Sequence, residues 1–124
     1  MNKNYFSNII QLSLLMIISA LVACKSTPSI EDMTVRMRDT DEVKLTDMRS
    51  IMVNNMLKVD VSVEVKSTKK NISYRFKWLD KNKFQVYGEE AWKPLTIGSG
   101  QMGIIQGIAP GPNATDFKLE LTSE

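Results

Sequence analysis

The sequence predicts an all-β domain, an antiparallel β-sandwich with a small β-barrel as the alternative, behind a cleaved signal peptide. Three observations carry this. Leu57, Val59, Val61, Val63 and Val65 alternate with Lys58, Asp60, Ser62, Glu64 and Lys66, the period of a half-buried strand. Short apolar runs recur at regular spacing between turn-forming residues, as in sandwiches. Beyond residue 23 no segment shows a helical stripe.

Residues 1–23 have the parts of an export signal: Lys3 as a small basic region, an apolar run from Ile9 through Val22, and Ala23 before a cut. Cys24 is the single cysteine and follows Leu21-Val22-Ala23, which resembles the lipobox of bacterial lipoproteins. That resemblance implies a diacylglycerol thioether on Cys24 Sγ, cleavage before Cys24 and usually acylation of the new amine. Two or three acyl chains on one residue anchor stably where one myristoyl-sized chain holds marginally. Two other readings remain open. The run, interrupted by Gln11, Ser13 and Ser19, is an uncleaved anchor, although spanning takes about 20 apolar residues, or Cys24 is a plain thiol after an ordinary cut, an odd cysteine prone to pair between molecules.

Removal of residues 1–23 leaves 101 residues, enough for one modest core and no second domain. Loss of Lys3 leaves 15 Lys+Arg against 14 Asp+Glu. Lys66, Lys69 and Lys70 are scattered among acids, without the clustered basic charge of a nucleic-acid binder. Residues 24–44 read as a lipidated, mostly flexible tether, with Pro28 early and charges at Arg36, Arg38, Asp39, Asp41 and Glu42. Twenty residues reach at most about 70 Å. Met33, Val35 and Met37 alternate, so the end of this stretch is alternatively a short strand.

Residues 45–124 form the sandwich domain. Asn54-Asn55 suits the left-handed backbone of a tight turn and joins Met48–Val53 to the alternating strand as a hairpin. Asn71–Leu79 reads as a second long strand with Ile72, Tyr74, Phe76 and Trp78 in phase. Asp80-Lys81-Asn82-Lys83 then turns the chain into Phe84–Tyr87. Trp92–Ile97, Gly100–Ile108 and Asp116–Leu121 read as further strands, separated by Gly98-Ser99-Gly100 and Ala109-Pro110-Gly111-Pro112. Ser67-Thr68-Lys69-Lys70 reads as a turn.

Tyr74-Arg75-Phe76-Lys77-Trp78-Leu79-Asp80, Trp92-Lys93-Pro94-Leu95, Gly98, Ala109-Pro110, Ala114 and Asp116-Phe117-Lys118-Leu119 together resemble the YcfL-like family of small periplasmic lipoproteins, a domain of unknown function, over roughly residues 46–121. Where relatives tend to have glycine in the turn after Trp-x-Asp, Asn82 stands here, and asparagine reaches the same left-handed geometry. The resemblance implies an immunoglobulin-like sandwich and an outer-membrane anchor, and no reaction. Relatives are often encoded beside a lipoprotein activator of peptidoglycan synthases, an association that implies a cell-envelope role.

The residues offer little catalytic chemistry. There is no histidine, so the commonest general base and transition-metal ligand is absent. With Cys24 acylated, thiolate catalysis and zinc thiolate sites are excluded. No Gly-x-Ser-x-Gly elbow occurs, and Ser67 and Lys70, at Ser-x-x-Lys spacing, fall in a turn rather than on a helix. Asp80, Glu89, Glu90 and Asp116 include no pair marked out by an apolar pocket for glycosidase work. Asp80-x-Asn82 opens like a calcium loop, but the sixth position is Gln85 and the twelfth Ala91. Gly98, Gly100 and Gly103 lack the lysine and helix of a phosphate loop. Asn71-Ile72-Ser73 and Asn113-Ala114-Thr115 match a glycosylation sequon by accident in a bacterial lipoprotein.

Tyr74, Phe76, Trp78 and Phe117 are expected in the core. Trp92, near Glu89-Glu90 and before Lys93-Pro94, is expected to pack against Trp78. If exposed beside Tyr87, the two become the candidate binding residues, because tryptophan is enriched at binding hot spots. The expectation is thus a non-enzymatic lipoprotein without cofactor or metal. Its Cys24 lipid would hold it to the periplasmic face of the outer membrane, since Lys25 rather than aspartate follows Cys24. It would act as an interaction or accessory module of the cell envelope, with an envelope protein as partner. The alternative is a small-ligand or glycan binder stacking on Trp92 and Tyr87.

Overall fold

In a computed structural model the described residues are 26–66 and 71–124. The expected signal peptide, Cys24 and the turn expected at Ser67–Lys70 lie outside them. Seven strands follow in order: β1 (Thr34–Arg36), β2 (Val43–Val53), β3 (Met56–Val65), β4 (Ile72–Leu79), β5 (Lys93–Pro94), β6 (Met102–Ile108) and β7 (Asp116–Ser123). They form two sheets, β1-β7-β4-β5 and β2-β3-β6, so the fold is a sandwich rather than a closed barrel.

β3 shows why the sheets face each other. Its side chains alternate between half-buried and buried along all ten residues, with Val59, Val61 and Val63 fully inaccessible. Each such side chain contributes on the order of 1.5–3 kcal/mol when taken from water. Opposite them stand Phe76 and Trp78 of β4 and Phe117, Leu119 and Leu121 of β7, all buried, while Tyr74 packs half-buried at the margin. Phe76 is the hub. Its ring stacks on Trp78 at 5.3 Å and meets Phe117 at 6.1 Å and Tyr74 at 6.3 Å edge-on. Gly107 of β6 lies over it so closely that a Cβ there would fall 2.5 Å from the ring.

The β2-β3 hairpin turns through Asn54 and Asn55, both at positive φ (48° and 63°), the twist-matched geometry that asparagine tolerates. Val53 pairs with Met56, and the register runs to Val43–Val65 with one bulge at Thr46. β4 pairs antiparallel with β7 along its whole length.

Three elements depart from the sequence reading. First, at the end of residues 24–44 the alternative reading, a short strand, is the one that forms, so the folded part begins before residue 45. Thr34–Arg36 pairs with Leu119–Leu121, and Val43 is 1% exposed in the core. This pairing is parallel, so the sandwich is not wholly antiparallel. Arg36 explains the docking, since its Nη1 donates to the carbonyls of Thr40 (2.9 Å) and Val43 (3.0 Å) and so folds the intervening charged loop onto the domain. From Cys24 to the start of β1 the reach is therefore about 35 Å at most rather than about 70 Å.

Second, Phe84–Tyr87 is not a strand. Asp80 Oδ1 accepts the amides of Asn82 (2.8 Å) and Phe84 (3.0 Å), while Lys83 and Tyr87 take positive φ (68° and 67°). Only an isolated Leu79–Gln85 bridge forms, leaving Phe84 70% exposed. Third, Trp92–Ile97 contributes only the two-residue strand Lys93–Pro94 opposite Ser73 and Tyr74, followed by a single further bond from Leu95 N–H to the Ile72 carbonyl.

Before β1, Ser29 donates its amide (3.0 Å) and hydroxyl (2.8 Å) to Asp32 Oδ2. These bonds, helped by the Lys118 charge, hold the Asp32 carboxyl below its ordinary value. A depressed carboxyl contributes stability that is full above the unfolded value of about 3.9 and is lost as pH falls through the lowered one. In an NMR titration the Met33 and Thr34 amides should therefore keep their native shifts at about pH 4 and change only in stronger acid, whereas Ser29→Ala should return the Asp32 midpoint toward about 3.9. Gly107→Ala should cost about 1–3 kcal/mol by forcing the Phe76 ring away, read as a lowered urea midpoint. An unchanged midpoint would mean the sheets separate freely at that point.

Candidate functional site

A sandwich has sheet edges, and each edge presents unpaired N–H and C=O groups that recruit another strand unless blocked. Here the edges of β4, β2 and β1 are blocked by three different devices.

The β4 edge is covered by the irregular segment from Asp80 to Leu95. Val86 N–H donates to the Trp78 carbonyl (2.9 Å) and Leu95 N–H to that of Ile72 (2.8 Å), with β5 pairing Ser73 and Tyr74 between. Where the backbone swings away, the Glu90 carboxylate takes its place. Its Oε2 accepts the Phe76 amide (3.1 Å), and its Oε1 accepts the indole Nε1–H of Trp78 (2.9 Å). Lys93 Nζ lies 3.3 Å from Oε2. Trp78 is completely buried, so its N–H needs a partner inside the protein.

On the outer side of β4, Arg75 bonds Glu120 (2.5 Å) and Glu89 (3.1 Å), and the Glu120 bond is the main cause raising the guanidinium's proton affinity. Its carbon lies 4.4 Å from the centre of the Trp92 ring, a cation–π contact. Trp92 is therefore not packed into the core against Trp78; it is 38% exposed with Arg75 over one face. Tyr87 is 40% exposed and fastened elsewhere, its hydroxyl accepting the Asn113 amide at 2.7 Å, with Gly111 close against the phenol. Among the described ring contacts there is none between Trp92 and Tyr87.

The β2 edge is broken by the bulge between Leu45 and Asp47 and carries Lys44, Asp47 and Arg49. Bulges and charges are both known ways of discouraging edge pairing. The β1 edge is three residues long and ends in Arg36.

The β6 edge has none of these. Met102-Gly103-Ile104-Ile105-Gln106-Gly107-Ile108 contains no charge and no proline. Ala109 N–H bonds the Leu57 carbonyl (2.8 Å) and Val65 N–H the Gln101 carbonyl (3.2 Å). With the register Lys58–Ile108 to Glu64–Met102, this alternation aims the odd-numbered residues of β6 at β3 and the even-numbered ones at the free side. Among the described residues, no backbone partner is found on that side. The same even positions carry the exposed side chains: Met102 (69%), Ile104 (63%) and Ile108 (58%). Gln106 interrupts them and donates to Asp60 Oδ1 at 2.9 Å on the neighbouring strand. Ile51, 59% exposed, continues the patch across Lys58.

The sequence marks Gly100–Ile108 as a strand, but that β6 is an edge emerges only from the sheet order. Apolar residues on both phases read as a strand buried on both faces; Gly103 and Gly107, which open space on the inward phase, were the available signal. The Glu90 role was also missed, although a tryptophan in phase with a core strand implies a nearby acceptor.

A family model described as "protein of unknown function (DUF1425)" matches residues 21–123. No curated protein matches the chain. Two crystal structures share its fold. One, from Campylobacter jejuni (cj0090), is 23% identical, covers 74% of this chain and 98% of its own, and has a TM-score of 0.66. The other, a DUF1425 family member from Shewanella sp. pv-4, is 23% identical over 66% of this chain and 78% of its own, with a TM-score of 0.58.

Glu90→Ala should leave the Trp78 N–H and the Phe76 amide without acceptors and cost on the order of 2–6 kcal/mol, at about 1–3 kcal/mol for each unsatisfied group. Chemical denaturation would measure the loss, and near-UV circular dichroism would report loosening around Trp78. A loss below about 0.5 kcal/mol would show that water replaces the carboxylate without penalty.

Proposed function

The chain belongs to the DUF1425 family, the family of the YcfL-like resemblance, whose description assigns no reaction; on the chain's own residues we propose that it is a non-enzymatic, lipid-anchored interaction module of the bacterial cell envelope. The observation that carries the reading is the β6 edge. A neutral seven-residue strand with open backbone groups and three exposed apolar side chains is a template for β-strand addition, in which the main chain supplies affinity and alternate side chains supply selectivity. An apolar edge of this kind is costly in a free protein because it invites aggregation. Its retention beside three blocked edges supports a docking role.

Cys24 after Leu21-Val22-Ala23 supports the anchor, and Lys25 after it supports the outer membrane over the inner. The anchor makes a weak edge useful, because confinement raises the effective concentration of the module toward partners on the same surface. The short span between Cys24 and β1 adds to this by keeping the domain within about 35 Å of the lipid. No reaction is proposed, and the main chain and apolar surface named here need no cofactor. The glycan-stacking alternative is less favoured, since Arg75 occupies one face of Trp92 and Tyr87 is fastened to a different loop.

Intact-mass analysis of the protein extracted from membranes should find acyl chains on an N-terminal Cys24, and Cys24→Ala should move it to the soluble fraction with its unfolding free energy in urea within about 0.5 kcal/mol of wild type. Recovery of a non-acylated chain still beginning at Met1 would refute the lipid anchor and favour the uncleaved apolar run.

A further inference from the structure

The occupant that the β6 edge fits best is a second copy of this chain. We propose that two molecules pair antiparallel through β6 about a two-fold axis at Ile105, joining their three-stranded sheets into one six-stranded sheet. This deepens the reading of β6 as a docking edge and rests on it.

The register follows from the free groups. Residues 102, 104, 106 and 108 aim their N–H and C=O outward. An axis at Ile105 sets Met102 opposite Ile108 of the second copy and Ile104 opposite Gln106, so all four outward residues are paired and the edge is satisfied by about eight backbone bonds, two for each such pair. A shift of two residues in either direction leaves outward groups bare. A shift of one turns them toward inward-facing ones and breaks the ladder. A two-fold interface must be complementary to itself, and this strand is. On the outer face Met102 meets isoleucine. On the inner face Gly103 meets Gly107 of the second copy, with the two Ile105 residues between them.

Charge agrees with the register. With no ionised group on Met102–Ile108, no like charges are brought opposite each other. One strand further out, Glu64 stands beside Met102 and Lys58 beside Ile108. In the pair the row therefore reads Glu64, Met102, Ile108 of the second copy, Lys58 of the second copy, with opposite charges at its ends. Asp60, beside Gln106, falls in the row that ends at Ser62 of the second copy. The β2 edge, with Lys44, Asp47, Arg49 and its bulge, offers no comparable self-match.

The size of the contact sets where pairing occurs. A seven-residue strand is about 23 Å long, and at the ~10 Å depth of a packed sheet two edges bury on the order of 500 Å² in all. Stable soluble complexes bury about 1,200–2,000 Å². The pair is therefore weak in dilute solution and becomes populated when both copies are confined to one membrane surface.

The test uses the full chain expressed in its membrane, with the photo-crosslinker p-benzoylphenylalanine replacing Ile104 in one variant and Ile108 in another. Copies of light and heavy isotopic label are mixed so that links between molecules are distinguished from links within one. Irradiation should give an adduct of twice the chain's mass, with position 104 joined near Gln106 and position 108 joined near Met102 of the oppositely labelled copy. Ile104→Lys should reduce the adduct from position 108 by about tenfold or more, because a charged residue on an edge opposes pairing. An adduct from position 104 to a different protein would overturn self-pairing while keeping β6 as a docking edge. Acylated chain that gives no adduct from either position would overturn both. If mass analysis finds Cys24 without lipid, the anchor reading fails separately. Sedimentation of the purified chain at its highest soluble concentration then decides, and a monomer at that concentration overturns self-pairing.

Discussion

The rest of the structure depends on how the buried indole of Trp78 is accommodated. A side chain of that size anchors the stack on Phe76, yet it carries one N–H that cannot go unpaired away from water. The acceptor is the Glu90 carboxylate, twelve residues on and outside the regular sheet. To place it there, the chain from Asp80 to Lys93 must fold back along β4. The Asp80 turn, the left-handed Lys83 and Tyr87 and the Tyr87–Asn113 bond all serve that return. The same carboxylate takes the Phe76 amide, so one residue satisfies the core and closes an edge.

Closing that edge with irregular chain has a consequence for the surface. Because the segment is not a strand, its aromatic residues are not sorted inward and outward by a pleat. Phe84 is left in solvent and Trp92 rests under Arg75. Their exposure is a by-product of covering β4. The exposure on β6 differs in kind, since there a regular strand turns three apolar side chains and its open backbone groups to the outside together.

The two sheets thus differ in how their ends are managed. In the sheet containing β4, short β1 closes one side through a parallel pairing with β7, and the Glu90 segment closes the other. In the sheet of β2, β3 and β6, the bulge and charges of β2 protect one side. On the remaining side, along β6, no backbone partner is found among the described residues.

Local patterns were sufficient for the hairpin of β2 and β3, the phase of β4, the position of β7 and the sandwich class, because each rests on side-chain alternation or on residues such as Asn54 and Asn55 whose conformational preferences act within a turn. The expectation of an export and lipid signal around Cys24 likewise rests on adjacent residues alone. Tertiary structure alone decided the docking of Thr34–Arg36 onto β7, which depends on Arg36 reaching carbonyls four and seven residues away, and the bond between Glu90 and Trp78. It also decided that β6 is an edge. Alternation along a strand records which side chains face the core, but whether a neighbour lies alongside is a property of the sheet, set by where the other strands end.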